Sequence, residues 1–428
     1  MATSSRTKLR PLYVYMQRPD TAQWLTVGAY WFDEASLLGR FKYAPSFEEA
    51  GHAWVIDPVN LIRKATPGEV YTASRYQGLH DVLRDACPDS WGQAVLRKTH
   101  GLPGNVSPLT YLKVASNADR WGALAVGATP KPSIVSLATP RLPKLAAVVR
   151  ELQAMAARKP AVDSRLRIRL KQTPSLGGAR PKATVQDTQG QNWLVKPLVP
   201  SDTANIPMLE HFAQSWGGHC GMRFASTHYH EENAAHAAHA AHAAVRVLRF
   251  DRFKTQRTLC ISAASLLQTE FPGTAEARFA GIPSYPRLAG QLRLIGAPLE
   301  DQIELFERMI FNAVCGNDDD HMRNHAACYK HEAGAWRLSP AFDVVPNPDA
   351  TPTHLALGID RNDKRISKDT VLQDSMLFGF ESREAAQFHL QRFLEQVRAG
   401  FDAAQELLDT PLRKMMEKRM QDNLKLLK

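Results

Sequence analysis

Cysteine is scarce in this chain and forms no pattern. The five cysteines, Cys87, Cys220, Cys260, Cys315 and Cys328, are odd in number and include no C-x-x-C pair, so neither a zinc ribbon nor a disulfide framework is suggested. They read as buried free thiols of a reducing cytoplasm, and a cytoplasmic location is expected. No apolar run approaches the length of a membrane span, so no membrane partner is expected. The opening residues, Met1-Ala2-Thr3-Ser4-Ser5-Arg6-Thr7, lack the apolar core of a secretory signal. Acidic side chains are outnumbered, 43 against 53 Lys and Arg, and the resulting net charge of +10 favours polyanions such as nucleotides and acidic protein segments. A helix-turn-helix signature is also missing, so contact with DNA should be indirect or auxiliary. What is present is ordinary globular composition, 44% hydrophobic and 22% charged, over 428 residues, enough for two domains or one large bilobal one.

One stretch concentrates chemistry. Gly316-Asn317-Asp318-Asp319-Asp320-His321-Met322-Arg323-Asn324 follows an apolar run from Met309 to Cys315 and gathers three carboxylates, an imidazole, a cation and an amide. Carboxylates this close repel one another unless a metal ion or cationic group joins them. Asp319 and Asn324 stand in D-x-x-x-x-N spacing, as in a protein-kinase catalytic loop, where the Asp takes the acceptor hydroxyl's proton and the Asn holds magnesium. Asp318 and Asp320 lack that offset and are expected to bond the loop backbone or accept from Arg323, and His321 to be a structural hydrogen-bonder. Arg323 occupies the place of a catalytic-loop cation, with a salt bridge to a neighbouring Asp as the plainer alternative. Asp343, within Leu338-Ser339-Pro340-Ala341-Phe342-Asp343-Val344-Val345-Pro346, is a lone carboxylate after an apolar lead-in, where a second metal ligand would sit. Magnesium requires hard oxygen donors, which a carboxylate and an amide carbonyl supply.

The rest of the chain supports a phosphate-handling arrangement. Leu12–Met16 and Trp24–Phe32 read as a hairpin, Phe41–Tyr43 and Trp121–Val126 as further strands, and Gly78–Lys98 as helical but broken at Cys87-Pro88-Asp89. Prolines 130, 132, 140 and 143 mark a linker before a helix at Leu145–Arg158. Gly177-Gly178-Ala179 lies in a turn entering a strand, and glycines let backbone N–H groups approach phosphate oxygens. Lys196 ends the following strand as a kinase's phosphate-contacting lysine would, a solvated strand end being the plainer alternative, and Glu210, on a helix from Asn205 to Ser215, could pair with it, with His211, Glu231 and Glu232 also nearby in sequence. Strand Val245–Phe253, carrying Arg249 and Asp251, would lie where a nucleotide base meets backbone. Beyond it the chain reads as helical, with Ile303–Val314 apolar at helical spacing, Ser382 capping Arg383–Ala404 and Thr410-Pro411 opening the last helix. The A-A-H units from Ala234 to Ala244 read as a weakly helical surface insertion, a metal site being the less favoured reading. This gives an α+β, bilobal, protein-kinase-like fold with a β-rich N-terminal subdomain and a mostly helical C-terminal lobe. The expected divisions are 1–135, 136–255 for the nucleotide-binding part with its phosphate loop, and 256–428 for the catalytic lobe.

Together these motifs resemble the HipA-like serine/threonine kinases of bacterial toxin–antitoxin systems. The family's G-N-x-D-x-H-x-K-N loop is matched by residues 316–324 with Arg323 for Lys. Its S-P-x-Y-D-V-x-P segment is similar to Ser339–Pro346, its S-x-x-G-A-Q-x-K phosphate loop to Ser175–Lys182, its R-F-D-R strand end to Arg249–Arg252, and its L-P-D-x-W-G segment to Cys87–Gly92. The resemblance covers nearly the whole chain. It implies an enzyme using ATP and Mg2+ on a protein substrate, such as a translation component, and a HipB-like DNA-binding antitoxin as partner. Asp319 would orient the acceptor hydroxyl, Asn324 and Asp343 would ligate magnesium, and Lys196 would contact the ATP phosphates. Ser175 matches a serine autophosphorylated in the family, although Arg180-Pro181 departs from the loop pattern. Two alternatives stay open: a metal-dependent phosphoesterase using Asn317–His321 with His325, and a catalytically silent corepressor of a DNA-binding antitoxin.

Overall fold

Aromatic and β-branched residues near the N-terminus build a first sheet from β1 (Leu12–Gln17), β2 (Trp24–Asp33), β3 (Leu38–Tyr43), β4 (Val70–Ala73) and β5 (Leu124–Gly127). The strand order is β4-β3-β2-β1-β5, every pair antiparallel. The computed structural model describes residues 10–64, 66–134, 139–172, 178–231, 242–269 and 281–428. A second sheet comprises β6 (Ala183–Gln186), β7 (Gln191–Pro197), β8 (Thr227–His230), β9 (Ala244–Phe253) and β10 (Gln256–Arg257), in the order β10-β9-β7-β6 with β8 also on β9. A third holds β11 (Cys260–Ser262), β12 (Ala326–Lys330) and β13 (Ala335–Leu338).

The region after residue 253 is therefore not wholly helical. β10 to β13 were missed because strands of two to five residues carry too little alternation to register. The fifth strand starts later than Trp121 because Gly122 is at φ +69° and turns the chain, its N–H donating to Asp251. The last helix, Thr410–Leu427, is capped by Asp409, whose carboxylate accepts from Leu412 N at 2.9 Å, so Thr410 is its first residue and not its cap.

Among the described residues two larger cores hold these layers, with a small third cluster of Ala225, Val245 and Val247 against Phe342. One continuous cluster runs from Leu12, Val14 and Met16 of β1 through helix Leu299–Cys315 to Leu424 and Leu427, so the first sheet and the helical lobe share one interior. A smaller cluster packs Val148, Val149 and Leu152 of helix Leu145–Ala156, with Leu166 and Leu170, on Val185, Trp193 and Val195 of the second sheet. Among the described residues no helix is long and apolar enough to cross a membrane.

Candidate functional site

Side-chain alternation on β7 sends Trp193 and Val195 into the smaller core and leaves Leu194 and Lys196 facing a cavity of about 370 Å³. Lys196 is buried, and its Nζ lies 2.6 Å from Glu210 Oε1 and 2.6 Å from Asp343 Oδ1. Burial alone would lower the Lys196 ammonium; the Asp343 and Glu210 carboxylates outweigh it and hold the group above its ordinary value. Glu210 comes from helix Ile206–His219, where Gln214, one turn on, donates to the same Oε1 at 3.1 Å. Asp343 stands at φ +59°, a left-handed conformation that an Asp tolerates better than most residues and that is often stored at functional sites. The strand-like run before it is strapped in place, Ala341 N donating to Arg223 O and Ala341 O accepting from Ala225 N.

Helix Leu299–Cys315 ends at Gly316, at φ +78°, with Gly316 N and Asn317 N both donating to Asn312 O. The three aspartates that follow have separate fates. Asp318 accepts from Asn347 Nδ2, and Asp320 is buried, accepting from Tyr285 Oη at 2.6 Å and from Ala356 N at 2.6 Å. Asp319 alone turns outward, its side chain 83% exposed and lining the cavity, with His321 Nε2 3.8 Å away. Desolvation by the cleft walls, with Asp343 and Asp318 beside it, raises its carboxyl against the pull of His321. Asn324 donates from Nδ2 to the carbonyl of Asp319 at 2.8 Å, which leaves its amide oxygen as the group for a ligand.

Lys196, Asp319, Asn324 and Asp343 thus line one cavity, together with Gly178, Ala179, Arg249, Asp251 and Arg323. Ser175 and Gly177 lie outside the described residues, as does most of the A-A-H tract. Arg323 does not pair with Asp318 or Asp320; its Nη1 is 3.7 Å from Asp85 Oδ1 of the N-terminal region. Arg249 and Asp251 are spent inside the protein: Arg249 donates to both oxygens of Asp251, to Asp119 and to Thr184, and Asp251 accepts from Gly122 N at 2.9 Å. Their side chains bind the sheets together and leave backbone for a ligand. His325 is buried with its Nε2 at the Asp320 carbonyl and does not line the cavity.

The contribution missed from sequence is the N-terminal wall. Arg84, Asp85, Asp89, Gln93 and Trp121 all line the cleft. Asp85 also accepts from Ser262 N, Ser262 Oγ and Ser265 Oγ, at 2.6–2.8 Å. Asp89 caps helix Ser90–His100 through Gly92 N and ion-pairs buried Lys182 at 3.3 Å, while Trp91 N donates to Gly178 O. The Pro88-Asp89 break signalled a cap; nothing local signalled the partners.

The family model of the HipA-like C-terminal domain matches residues 174–417. The chain belongs to that family. A solved structure of HipA from Shewanella oneidensis MR-1, in a toxin–antitoxin complex with HipB and operator DNA, superposes with a TM-score of 0.69 at 14% identity, covering 97% of this chain and 96% of that one. A weaker likeness, TM-score 0.44 at 13% identity over 59% of this chain and 90% of that one, is to the Helicobacter pylori proinflammatory kinase CtkA. No curated protein matches the chain. At such identity the HipA likeness speaks for the fold: a mixed α and β architecture with a β-rich N-terminal region and a helical C-terminal part. The family model of the C-terminal domain starts at residue 174, so the wall made by Arg84, Asp85 and Asp89 is supplied from outside the part it matches.

Proposed function

We propose that this protein is an ATP-dependent serine/threonine protein kinase acting as a HipA-like growth-inhibiting toxin. One observation carries the reading: the Lys196 ammonium, the exposed Asp319 carboxylate, the Asn324 amide and the strained Asp343 carboxylate converge on a single cavity. The apolar side chains of Leu194, Val247, Phe250 and Phe342, the last two rings 5.2 Å apart, offer flat walls for a purine. Lys196, already held protonated, would meet the phosphates as a point charge. Asp319 would accept the proton of a Ser or Thr hydroxyl as its oxygen bonds to the γ-phosphorus and the bond to the β–γ bridging oxygen breaks, releasing ADP. Asp343 and Asn324 fit magnesium, since both present hard oxygens to the cleft and the Asp343 oxygen not on Lys196 stays available. A bound magnesium ion would neutralise phosphate charge.

A protein substrate such as a translation component and autophosphorylation at Ser175 are further parts of this proposal. So is a cytoplasmic HipB-like DNA-binding antitoxin, DNA being an auxiliary contact; the Shewanella protein was solved with such partners. The test is transfer of labelled phosphate from ATP to cell-extract proteins by wild type, Asp319→Ala and Ser175→Ala, alongside growth on expression. Transfer and growth arrest that vanish only in Asp319→Ala support the reading. Absence of transfer by both wild type and Ser175→Ala overturns it.

A further inference from the structure

A second cavity, of about 330 Å³, lies where three turns converge: the β1–β2 turn with Gln17–Ala22, the β9–β10 hairpin with Arg252–Arg257, and the β12–β13 turn with Lys330–Glu332. Beneath it sit four guanidiniums, those of Arg120, Arg249, Arg252 and Arg257, and two carboxylates, Asp119 and Asp251. Both carboxylates are engaged by Arg249. Arg252 spends its two Nη groups on the carbonyls of Ala118 and Arg120; its Nε has no hydrogen-bond partner among the described residues, and Asp251 Oδ2 is 3.9 Å off. Arg257 is 9% exposed, packs 4.8 Å over the Trp24 ring and donates Nη2 to Asn117 O, while its Nη1 has no partner among the described residues.

Burial, and after it the repulsion of Arg252 and Arg249, pulls the Arg257 guanidinium well below its ordinary value. A guanidinium keeps its proton in proteins, so the strain is an uncompensated charge. Backbone carbonyls satisfy some N–H groups here but bring no negative charge. The surplus of two positive charges matches a dianion, and a phosphate group supplies oxygens suited to the guanidinium fork. Lys330 and His331 stand exposed at the mouth beside Glu332, and Arg18 on the wall is paired with Asp20.

We propose that this cavity is a binding site for a small phosphate-bearing anion, with Arg257 and Arg252 at its base and Lys330 at its entrance. The cavity shares Leu248, Arg249 and Phe250 of β9 with the first one, but the proposal does not depend on the nucleotide reading there. Its ligand would brace the β9–β10 hairpin against the N-terminal sheet.

The full chain should be titrated calorimetrically with inorganic phosphate and with pyrophosphate at constant ionic strength set by chloride, and crystals soaked in selenate. Binding is expected to fall about tenfold or more in Arg257→Gln and a few-fold in Lys330→Gln, whose side chain is exposed and outside the core. Selenate density is expected beside Arg257. Preference for phosphate over pyrophosphate would mark a single phosphoryl group as the ligand, and the reverse a polyphosphate tail. No heat above chloride, binding kept in both Arg257→Gln and Lys330→Gln, or selenate found only elsewhere would each overturn the proposal.

Discussion

Two buried cations in this protein each sit between two carboxylates, and they do opposite things. Around Arg249 every group is used: Asp251 takes a bidentate fork and Gly122 N–H, and Asp119 accepts from Thr184 at 3.0 Å with both oxygens. Arg249 and Asp251 share the cavity wall with Lys196 yet offer it no spare valence. Around Lys196 the arrangement is left open. Its Asp343 partner is 27% exposed and at positive φ. A lysine is a compact point charge that can exchange one carboxylate for a phosphate, whereas a guanidinium fork fixes planar geometry. Burial alone would raise the Asp251 carboxyl and lower Arg249, but each outweighs that for the other, the signature of a closed pair. The difference between clamp and site is thus unfilled valence and strain, not charge or burial.

The largest effect that would test this contrast is on activity. Asp319→Asn should reduce phosphoryl transfer by roughly 10²–10⁴-fold, the range for a lost general base, while shifting stability by less than about 0.5 kcal/mol because the side chain is exposed. A urea midpoint that falls in parallel with activity would sink the assignment of Asp319 to the open site. Next, Arg249→Met should cost about 3–5 kcal/mol of folding stability by stranding Asp251 and Asp119. Lys196→Met should strand Glu210 similarly, yet adding Glu210→Gln should restore much of the folding and none of the transfer. If the double variant regains activity, Lys196 belongs with the clamp.

Much of this contrast lay beyond reading from sequence. The spacing that set Asp319 apart from Asp318 and Asp320 is local, and the three do differ in exposure as that offset suggests. Long hairpins and helices such as β1–β2 and Arg383–Ala404 were legible because their periodicity extends over many residues. Arg249 and Asp251, by contrast, were taken for nucleotide-side residues, since their link to Asp119 joins positions far apart in the chain and leaves no local pattern. The same holds for Asp85 with Arg323 and for Asp89 with Lys182. Glu210 was placed near Lys196 only by analogy, and tertiary packing brings the two to 2.6 Å.

The contrast recurs within the acidic run, where Asp320 is the closed counterpart of Asp319. Burial, against hydrogen bonds from Tyr285 and Ala356, pushes Asp320 up to about 7. Its unfolded value is lower, so between the two the folded state binds the extra proton. Stability from this group is full in acid and is lost as pH rises through about 7. Comparing unfolding free energies at pH 5 and pH 8, the wild type should lose on the order of 2 kcal/mol more than Asp320→Asn, which cannot ionise. Buried Asp57 and Asp81, raised by burial to about 6 and about 7, act in the same direction in both proteins and cancel in the difference. A variant with the same pH slope as the wild type would show that Asp320 is ionised in the folded protein.

The smallest effects compare the glycines that open each arrangement. Gly316 starts the acidic loop at φ +78°, and a Cβ there would lie 2.6 Å from Cδ of buried Arg419, which Ala350 O tethers at 2.7 Å. Gly122 feeds the clamp at φ +69°, but a Cβ would meet nothing closer than 3.7 Å. Both Ala variants incur the left-handed penalty of about 1–2 kcal/mol. Only Gly316→Ala adds a clash with a side chain that cannot retreat, so it should be the less stable by roughly 1 kcal/mol. It should also reduce transfer, because the loop bearing Asp319 starts at that residue, whereas Gly122→Ala should leave transfer within about twofold if backbone strain is its whole effect. Equal midpoints for the two variants would mean that Arg419 yields, and the loop would then be less firmly seated on the last helix than the contact suggests.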